Sequence, residues 1–495
     1  MSEQRFDAIV VGAGFGGIGA AVGLKRLGIE DFVILDRLDD LGGTWHVNHY
    51  PGLACDVPTT TYSYFFEPNP DWSRLFSSGQ EIKRYADHVA EKYDIRRHIR
   101  FNTTVEGAYW DSEALLWRVA LADGSTLSAR YLITATGFLS QPHTPEIPGI
   151  HSFEGKVIHT AAWDDDYDPT GRRIALIGTG ATAVQLIPEL AKRAGELTVY
   201  QRTPIFVVPK LDFRFPKPVR RLFARVPLSQ RAVRAVTDAI YEFFNYVVLH
   251  HRTTLFRRLN IGAADVSKMY RYLVVRDPEM RRKLTPSYDF GCKRPTFSNS
   301  YYRAFTQPNV HLQATGIEHI EPHAIVAADG TRTDIDTLVL ATGFDLWEAN
   351  IPAIEVIGRG GRNLGKWWRE NRFQAYQGVS IPHFPNYFSL ASPYAFIGLN
   401  FFNAMEYQMR IINRVLGEVK RRGATTFEVT EEANARFLDE MTDRVGDTVF
   451  ELGHCAEARS YYFNPHGEAT LLRPTTAREA IRRAAEFPLS DYRFS

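Results

Sequence analysis

Cysteine is nearly missing from this chain: three residues in 495, Cys55, Cys292 and Cys455, far apart and never at CxxC spacing. That excludes a dithiol reductase and a small disulfide-framed scaffold, and it suits a reducing cytoplasm. Net charge is nearly missing as well, with 58 Lys/Arg against 57 Asp/Glu. Nothing global therefore attracts nucleic acid or another polyanion, and any electrostatic argument has to be local. Long apolar runs are also lacking, and the stretch Ala8 to Val11 in the opening MSEQRFDAIVVGAGFGG is too short for a signal sequence or a span. Solenoid repeats, collagen-like periods and low-complexity tracts do not occur. No metal site is expected.

What is there is a chain 44% hydrophobic and 23% charged, long enough for two or three cores rather than one. The buried-strand pattern Phe6 to Val11 runs into Gly12, Gly14 and Gly17, a GxGxxG ahead of the Ala-rich helix GIGAAVGLKRLG. Glycine at these places permits a tight turn and lets N–H groups at a helix start meet a pyrophosphate. The next strand, FVILD, ends on Asp36, where an acid accepts hydrogen bonds from a ribose diol. The pattern returns at RRIALIGTGATAVQL, where Gly178, Thr179, Gly180, Ala181, Thr182 and Ala183 follow an apolar strand and open another helix. Alanine in the third place still allows close helix–strand packing. The strand after it, LTVYQRTP, ends on Gln201, Arg202 and Thr203 instead of an acid, and a cation with a hydroxyl fits a 2′-phosphate. The first loop is thus expected to hold FAD and the second NADPH. The fold class expected is α/β, two Rossmann-like dinucleotide-binding domains with a helical insertion.

Two further apolar strands close on ATG, YLITATGF at Gly137 and TLVLATGF at Gly343, one before and one after the second loop. This suggests one dinucleotide domain inserted within another, with the chain crossing at those points. The expected division assigns 1–140 and 345–495 to the FAD domain, 150–209 and 291–344 to the NADP domain, and 210–290 to a helical subdomain. Between Lys210 and Arg294 stand nineteen Lys/Arg against seven Asp/Glu, with helical apolar periodicity in RAVRAVTDAIYEFFNYVVLHH. The ordinary reading of that region is a solvated face plus a lid; contact with an anionic membrane is the alternative, not the favoured one. The segment IPHFPNYFSLASPYAFIGLNFFNAMEYQ should return to the flavin domain and border an apolar cavity, and TTFEVTEEANARFLDEMTDRV reads as a surface helix. No heptad or interface helix stands out, so the oligomeric state stays open.

Two longer patterns narrow the reading. FEGKVIHTAAWD carries Phe153, Gly155, His159, Trp163 and Asp164, and GGTWHVNHYPGLACD carries Gly42, Gly43, Thr44, Trp45, Tyr50, Pro51, Gly52 and Asp56. On these residues the chain resembles the class B flavoprotein monooxygenases, and within them the type I Baeyer–Villiger monooxygenases, whose patterns FxGxxxHxxxW(P/D) and GGxWxxxx(F/Y)PGxxxD it meets in full. The sister flavin-containing monooxygenases usually carry Phe or Tyr where Trp163 stands. The resemblance runs from Phe6 to about Phe463 and is weakest between Lys210 and Leu284.

The resemblance implies an FAD-containing, NADPH-dependent enzyme that uses O₂ to insert oxygen beside a ketone carbonyl through a C4a-peroxyflavin, giving an ester or lactone. It places Asp56 beside the flavin, paired with Arg294 of GCKRPTFSNSYYRAF, and gives Lys293 the NADP 2′-phosphate. Gly43, Thr44, Trp45 and Tyr62 join the first glycine loop and Asp36 as flavin contacts, and Arg294 also counts among the NADP contacts. A guanidinium, always charged, stabilises a peroxide anion and the adduct formed on attack. His159 is a general acid or a hydrogen-bonded anchor, with the anchor favoured, and Trp163 is expected to fix a linker. Tyr461 in RSYYFNPHG stands where the family often has tryptophan, which bears on the shape of the substrate cavity. Cys55 and Cys292 each precede a site residue and are read as buried inert thiols rather than oxidation-sensitive ones. Two alternatives remain: oxygenation of nitrogen or sulfur, which would not need Arg294, and a nucleotide-binding redox sensor without turnover. The expected partners are a small-molecule ketone and O₂, and the expected location is the cytoplasm.

Overall fold

A computed structural model describes residues 4–398 and 400–495. The strand β1 (Gln4–Val11) is apolar on both faces from Ala8 onward, the pattern of a strand covered from both sides. It pairs in parallel with β2 (Phe32–Leu35) and with β3 (Thr126–Thr134), which sets Val11 opposite Leu35 and Thr134. The helix α1 (Phe15–Arg26) connects β1 to β2 and is buried from Phe15 to Leu24. Glycine and alanine dominate that stretch because a helix enclosed on all sides has little room for larger side chains. These strands belong to an eight-stranded sheet, and Tyr387–Ser389 returns to it alongside β3. The aromatic segment after the last ATG therefore rejoins the first sheet; its Leu399 lies outside the described residues.

The second sheet has five strands, all parallel: β4 (Lys156–His159), β5 (Arg173–Ile177), β6 (Glu196–Tyr200), β7 (Val310–Gln313) and β8 (Thr337–Leu340), in the order β7-β6-β5-β8-β4. The helix α2 (Ala181–Ala191) leaves β5 through Gly178–Gly180. The chain is thus a doubly wound α/β protein with two Rossmann-like units.

The paired ATG tripeptides have one physical explanation. A Cβ on Gly12 would lie 2.5 Å from the Ala135 carbonyl oxygen, and one on Gly178 would lie 2.3 Å from that of Ala341. Both glycines also have positive φ, +106° and +118°. In each unit the first glycine of the nucleotide loop packs on the alanine of its own ATG, where any side chain would collide.

Four helices fill the stretch between the halves of the second unit: α3 (Lys217–Arg225), α4 (Pro227–Leu249), α5 (Thr254–Val274) and α6 (Pro278–Lys283). Proline stands in the first turn of α3 and α4, where its missing N–H costs nothing, and Thr253 caps α5 by accepting from Phe256 N–H. The inner face of α4 is seated on the first unit: Arg234, buried, donates to the carbonyls of Thr61, Ser63 and Tyr64, and Thr60 donates to Thr237. The stretch TTFEVTEEANARFLDEMTDRV differs in part from its reading as one helix. Phe427–Val429 is a strand paired with Tyr492–Phe494, and the helix begins only at Glu431, with Thr430 as its cap.

Candidate active site

The flavin-side residues gather around one cavity of about 680 Å³. Gly12, Gly14, Asp36, Gly43, Thr44 and Trp45 line it, and so do Asp56, Tyr62 and Arg294. Gly14 and Gly43 close one wall together, since a Cβ on Gly43 would come within 3.0 Å of Gly14 Cα. Asp36 accepts from Ala13 N–H at 2.6 Å and from Leu38 N–H at 2.9 Å, although burial pushes its carboxyl upward. Gly17 does not reach the cavity. A Cβ there would meet the Gly12 carbonyl at 1.8 Å, so this glycine lets α1 start against the loop. Trp45 donates from Nε1 to the Tyr62 hydroxyl at 3.1 Å. A glycine cradle at a helix start, ending on a buried acid, fits the pyrophosphate and ribose of FAD.

The pattern ending at Asp56 is long because it spans both units. Tyr50 donates to Gln185 on α2 at 3.0 Å, Gln185 donates to the Ala54 carbonyl at 2.8 Å, and a Cβ on Gly52 would strike the Gln185 carbonyl at 2.8 Å. Gln185 carried no signal of its own in the sequence; only its place two turns from the second glycine loop could have pointed to it.

At the cavity, Arg294 donates from Nε and Nη2 to the two oxygens of Asp56, at 3.0 and 2.8 Å. The side chains are 26% and 23% exposed, so the pair is partly shielded yet open to a ligand. Burial works against the Arg294 charge, but Asp56 and the neighbouring Tyr461 and Tyr462 outweigh it, and the guanidinium is held above its ordinary range. It stays a fixed cation at every working pH. Tyr461 lines the cavity, and its backbone carbonyl is fixed by Trp347 Nε1 at 2.9 Å. Cys55, next to Asp56, is a buried free thiol whose pKa burial drives up, as its reading as inert requires. Cys292 departs from that reading: it is bonded to Cys455, 163 residues away. Sequence spacing could not reveal a pair formed by a turn and a remote loop, and the cysteine count loses its value as an argument for a reducing compartment.

One residue earlier in the same turn, Lys293 lies within electrostatic reach of Arg202, just past the strand that follows the second nucleotide loop. Thr179 donates to the Thr203 carbonyl at 2.8 Å, tying that loop to the end of β6. Ala181 and Thr182 reach the cavity, Ala183 is packed in the core, and a Cβ on Gly180 would meet only open space. Burial, then the charges of Arg202 and Arg459, bring the Lys293 ammonium down to about 8. Among the described residues none of these three cations is paired with a carboxylate. Three like charges converging without a counter-ion fit a phosphate dianion, and with it the 2′-phosphate of NADP. Arg459 escaped the sequence reading because it lies 166 positions from Lys293 in a loop without a motif. Its left-handed backbone, φ 48°, is visible only in the fold.

The FEGKVIHTAAWD stretch lies elsewhere. Phe153 packs in a core cluster with Ile320 and Leu338, and a Cβ on Gly155 would meet the Asp336 carbonyl at 2.5 Å. His159 ends β4 opposite Leu340 of β8. Its Nδ1 accepts from Ala161 N–H at 3.1 Å and its Nε2 lies 3.4 Å from the Thr342 hydroxyl, which itself donates to the His143 carbonyl. His159 therefore touches both places where the chain crosses between units, and burial lowers its pKa, favouring the neutral ring. Trp163 is buried with its edge against Tyr167, and Asp164 is a surface partner of Lys156. Of this stretch only Ala161 borders the cavity.

Residues 9–213 match the pyridine nucleotide-disulphide oxidoreductase family. A Baeyer–Villiger monooxygenase of Streptomyces coelicolor is 37% identical over 497 residues, covering 99% of this chain and 93% of that protein. Among solved structures, an oxidized steroid monooxygenase bound to NADP superposes with a TM-score of 0.87 at 29% identity, covering 99% of each chain. The OTEMO complex with FAD and NADP superposes with a TM-score of 0.86 at 28% identity over the whole of both chains. Near-full-length identity of this order, on a fold whose two glycine loops fit FAD and NADP, means that the chain belongs to the Baeyer–Villiger monooxygenases, FAD-containing and NADPH-dependent.

Proposed function

We propose that Arg294, oriented by Asp56, is the catalytic residue of this chain and that its task is to hold negative charge on oxygen beside the flavin. The reaction is insertion of one oxygen atom of O₂ next to a ketone carbonyl, yielding an ester or lactone. Bound FAD, reduced by NADPH, supplies the activation of O₂. The observation that carries the assignment is the bidentate Asp56–Arg294 pair at the wall of the cavity. The two hydrogen bonds that Arg294 donates to one carboxylate fix the plane of the guanidinium at the cavity wall. Preorganised cations of this kind cost no rearrangement at the moment of reaction.

In this reading Gly12, Gly14, Asp36, Gly43, Thr44, Trp45 and Tyr62 hold FAD, with Gly17 supporting the loop. Gly178 to Ala183, Arg202, Thr203 and Lys293 hold NADP, and Arg459 joins them at the 2′-phosphate. The division at 1–140, 150–209, 210–290, 291–344 and 345–495 follows, with His159 an anchor between the units and not a proton donor. Tyr461 shapes the substrate cavity in place of a larger indole. Supply of NADPH places the reaction in the cytoplasm, with the Cys292–Cys455 bond buried from solvent. The test is rapid mixing with Arg294→Ala: flavin reduction by NADPH persists while ester formation falls about a hundredfold or more. Normal ester yield from that variant refutes the role. Undiminished sulfoxidation alongside lost ester formation separates it from simple misfolding.

A further inference from the structure

The helical insertion turns an apolar and basic surface outward. Of the 21 large hydrophobic side chains that are exposed among the described residues, sixteen lie between Leu211 and Leu273. On α4 the inner side is occupied by Arg234 and Thr237, while Leu228, Val236, Ile240 and Phe243 face away, each 58–71% exposed. On α5 Leu255, Leu259, Val266, Met269 and Leu273 are exposed, at spacings that place them in one stripe along the helix. An uncovered apolar surface of this extent marks a contact site.

The charge decides what covers it. Residues 210–294 hold nineteen Lys/Arg against seven Asp/Glu, leaving 39 against 50 in the rest of the chain. Arg221, Arg225, Arg231, Arg257, Arg258 and Lys268 are exposed there, and among the described residues none is paired with a carboxylate. A second copy laid on this face would bring cation against cation, which opposes pairing. A bilayer with anionic headgroups answers both features, taking the apolar stripes into its boundary and the arginines at its phosphates. No described helix is long and apolar enough to cross a membrane, which leaves an orientation in the plane of the interface.

We propose that α3, α4 and α5 dock this protein on an anionic lipid surface. The opposite face of α4 holds the carbonyls of Thr61 and Ser63, on either side of Tyr62 in the flavin cavity. Docking thus sets the bilayer about one helix diameter, ~10 Å, from the cavity wall. Such docking is independent of which ketone the enzyme uses.

The holoenzyme is sedimented with vesicles of phosphatidylcholine alone and with vesicles that also contain phosphatidylglycerol. The expected result is at least about tenfold stronger partition onto the anionic vesicles, diminishing as salt is raised. The double variant Val236→Glu with Met269→Glu, both on exposed positions, should lose at least about tenfold of that partition while retaining FAD and NADPH oxidation. Equal partition onto both vesicle types, or none, overturns the proposal. So does a concentration-dependent dimer in sedimentation velocity that the double variant converts to monomer, since that makes a second copy the occupant.

Discussion

On the proposed placement of the 2′-phosphate at Lys293, Arg202 and Arg459, NADP binding has a pH dependence that can be worked out from the structure. Without cofactor, burial and the two guanidinium groups bring the Lys293 ammonium to about 8 from its ordinary 10.5. A 2′-phosphate, already a dianion above neutrality, pairs with the charged form and returns the pKa toward its ordinary value. The sign follows: below about pH 8 the lysine is protonated before NADP arrives, and above it a proton must be taken up on binding. With a free pKa of 8 and a bound value well above 9, the dissociation constant varies as one plus ten to the power of pH minus 8. It is nearly flat below pH 7 and rises about tenfold between pH 7 and 9. Fluorescence or calorimetric titration with NADP⁺ across that window measures it, and NAD⁺, which lacks the phosphate, should show no such slope. Arg459→Ala should weaken NADP⁺ at pH 7 yet move the midpoint upward, because one of the charges depressing Lys293 is gone. A flat profile between pH 7 and 9, or the same slope with NAD⁺, refutes the phosphate site as assigned.

Three further outcomes are expected. Asp56→Ala leaves the Arg294 cation without its carboxylate and should lower the unfolding free energy of the holoprotein by about 1–3 kcal/mol in urea melts; Asp56→Ala with Arg294→Met should regain most of that stability and no ester formation. Thiol titration should find no reactive group in the native protein, one after unfolding without reductant, and three after reduction; three before reduction would dissolve the Cys292–Cys455 bond. His159→Ala removes one anchor between the crossing segments, so NADP⁺ affinity should fall less than about fivefold, the scale of one hydrogen bond, whereas product formed per NADPH consumed should drop further than affinity does.

The parts that were legible in the sequence are those where one short segment performs the whole task. GxGxxG after a buried strand, with Asp36 at the end of the next, encodes a loop, a helix start and an acid within about thirty residues, and local chemistry suffices to read it. The same holds for the duplicated ATG, whose packing on Gly12 and Gly178 makes the doubling a consequence of two equal folds. Residues whose meaning comes from a remote partner were silent. Gln185 matters because a tyrosine 135 positions earlier reaches it. Arg459 matters because Lys293 faces it, and Cys455 because Cys292 does. The outward face of the helical insertion could not be picked out from the sequence for a related reason. Apolar periodicity is the same whether a helix hides its stripe or shows it, and only the packing of Arg234 and Thr237 inward settles which side of α4 remains uncovered.

Lys293 and Arg294 are adjacent in sequence, and a single loop supplies neighbours to both. Cys292, Lys293 and Arg294 meet, in order, Cys455, Arg459 and the Tyr461–Tyr462 pair. One short turn thus lies along one short loop, bonded covalently at one end. On the proposed assignment of Lys293 to the NADP side and Arg294 to the flavin side, a displacement of the loop on phosphate binding would be passed to the guanidinium one residue on. This requires Cys455→Ser to act differently from a change at either cation. It should leave the Asp56–Arg294 pair intact and flavin reduction normal, while loosening the register of the loop against the turn. The expected result is a larger share of NADPH oxidised without ester, restored toward the native share when NADP⁺ is supplied in excess. If coupling in Cys455→Ser matches the parent at all NADP⁺ concentrations, the turn and the loop hold their register without the bond.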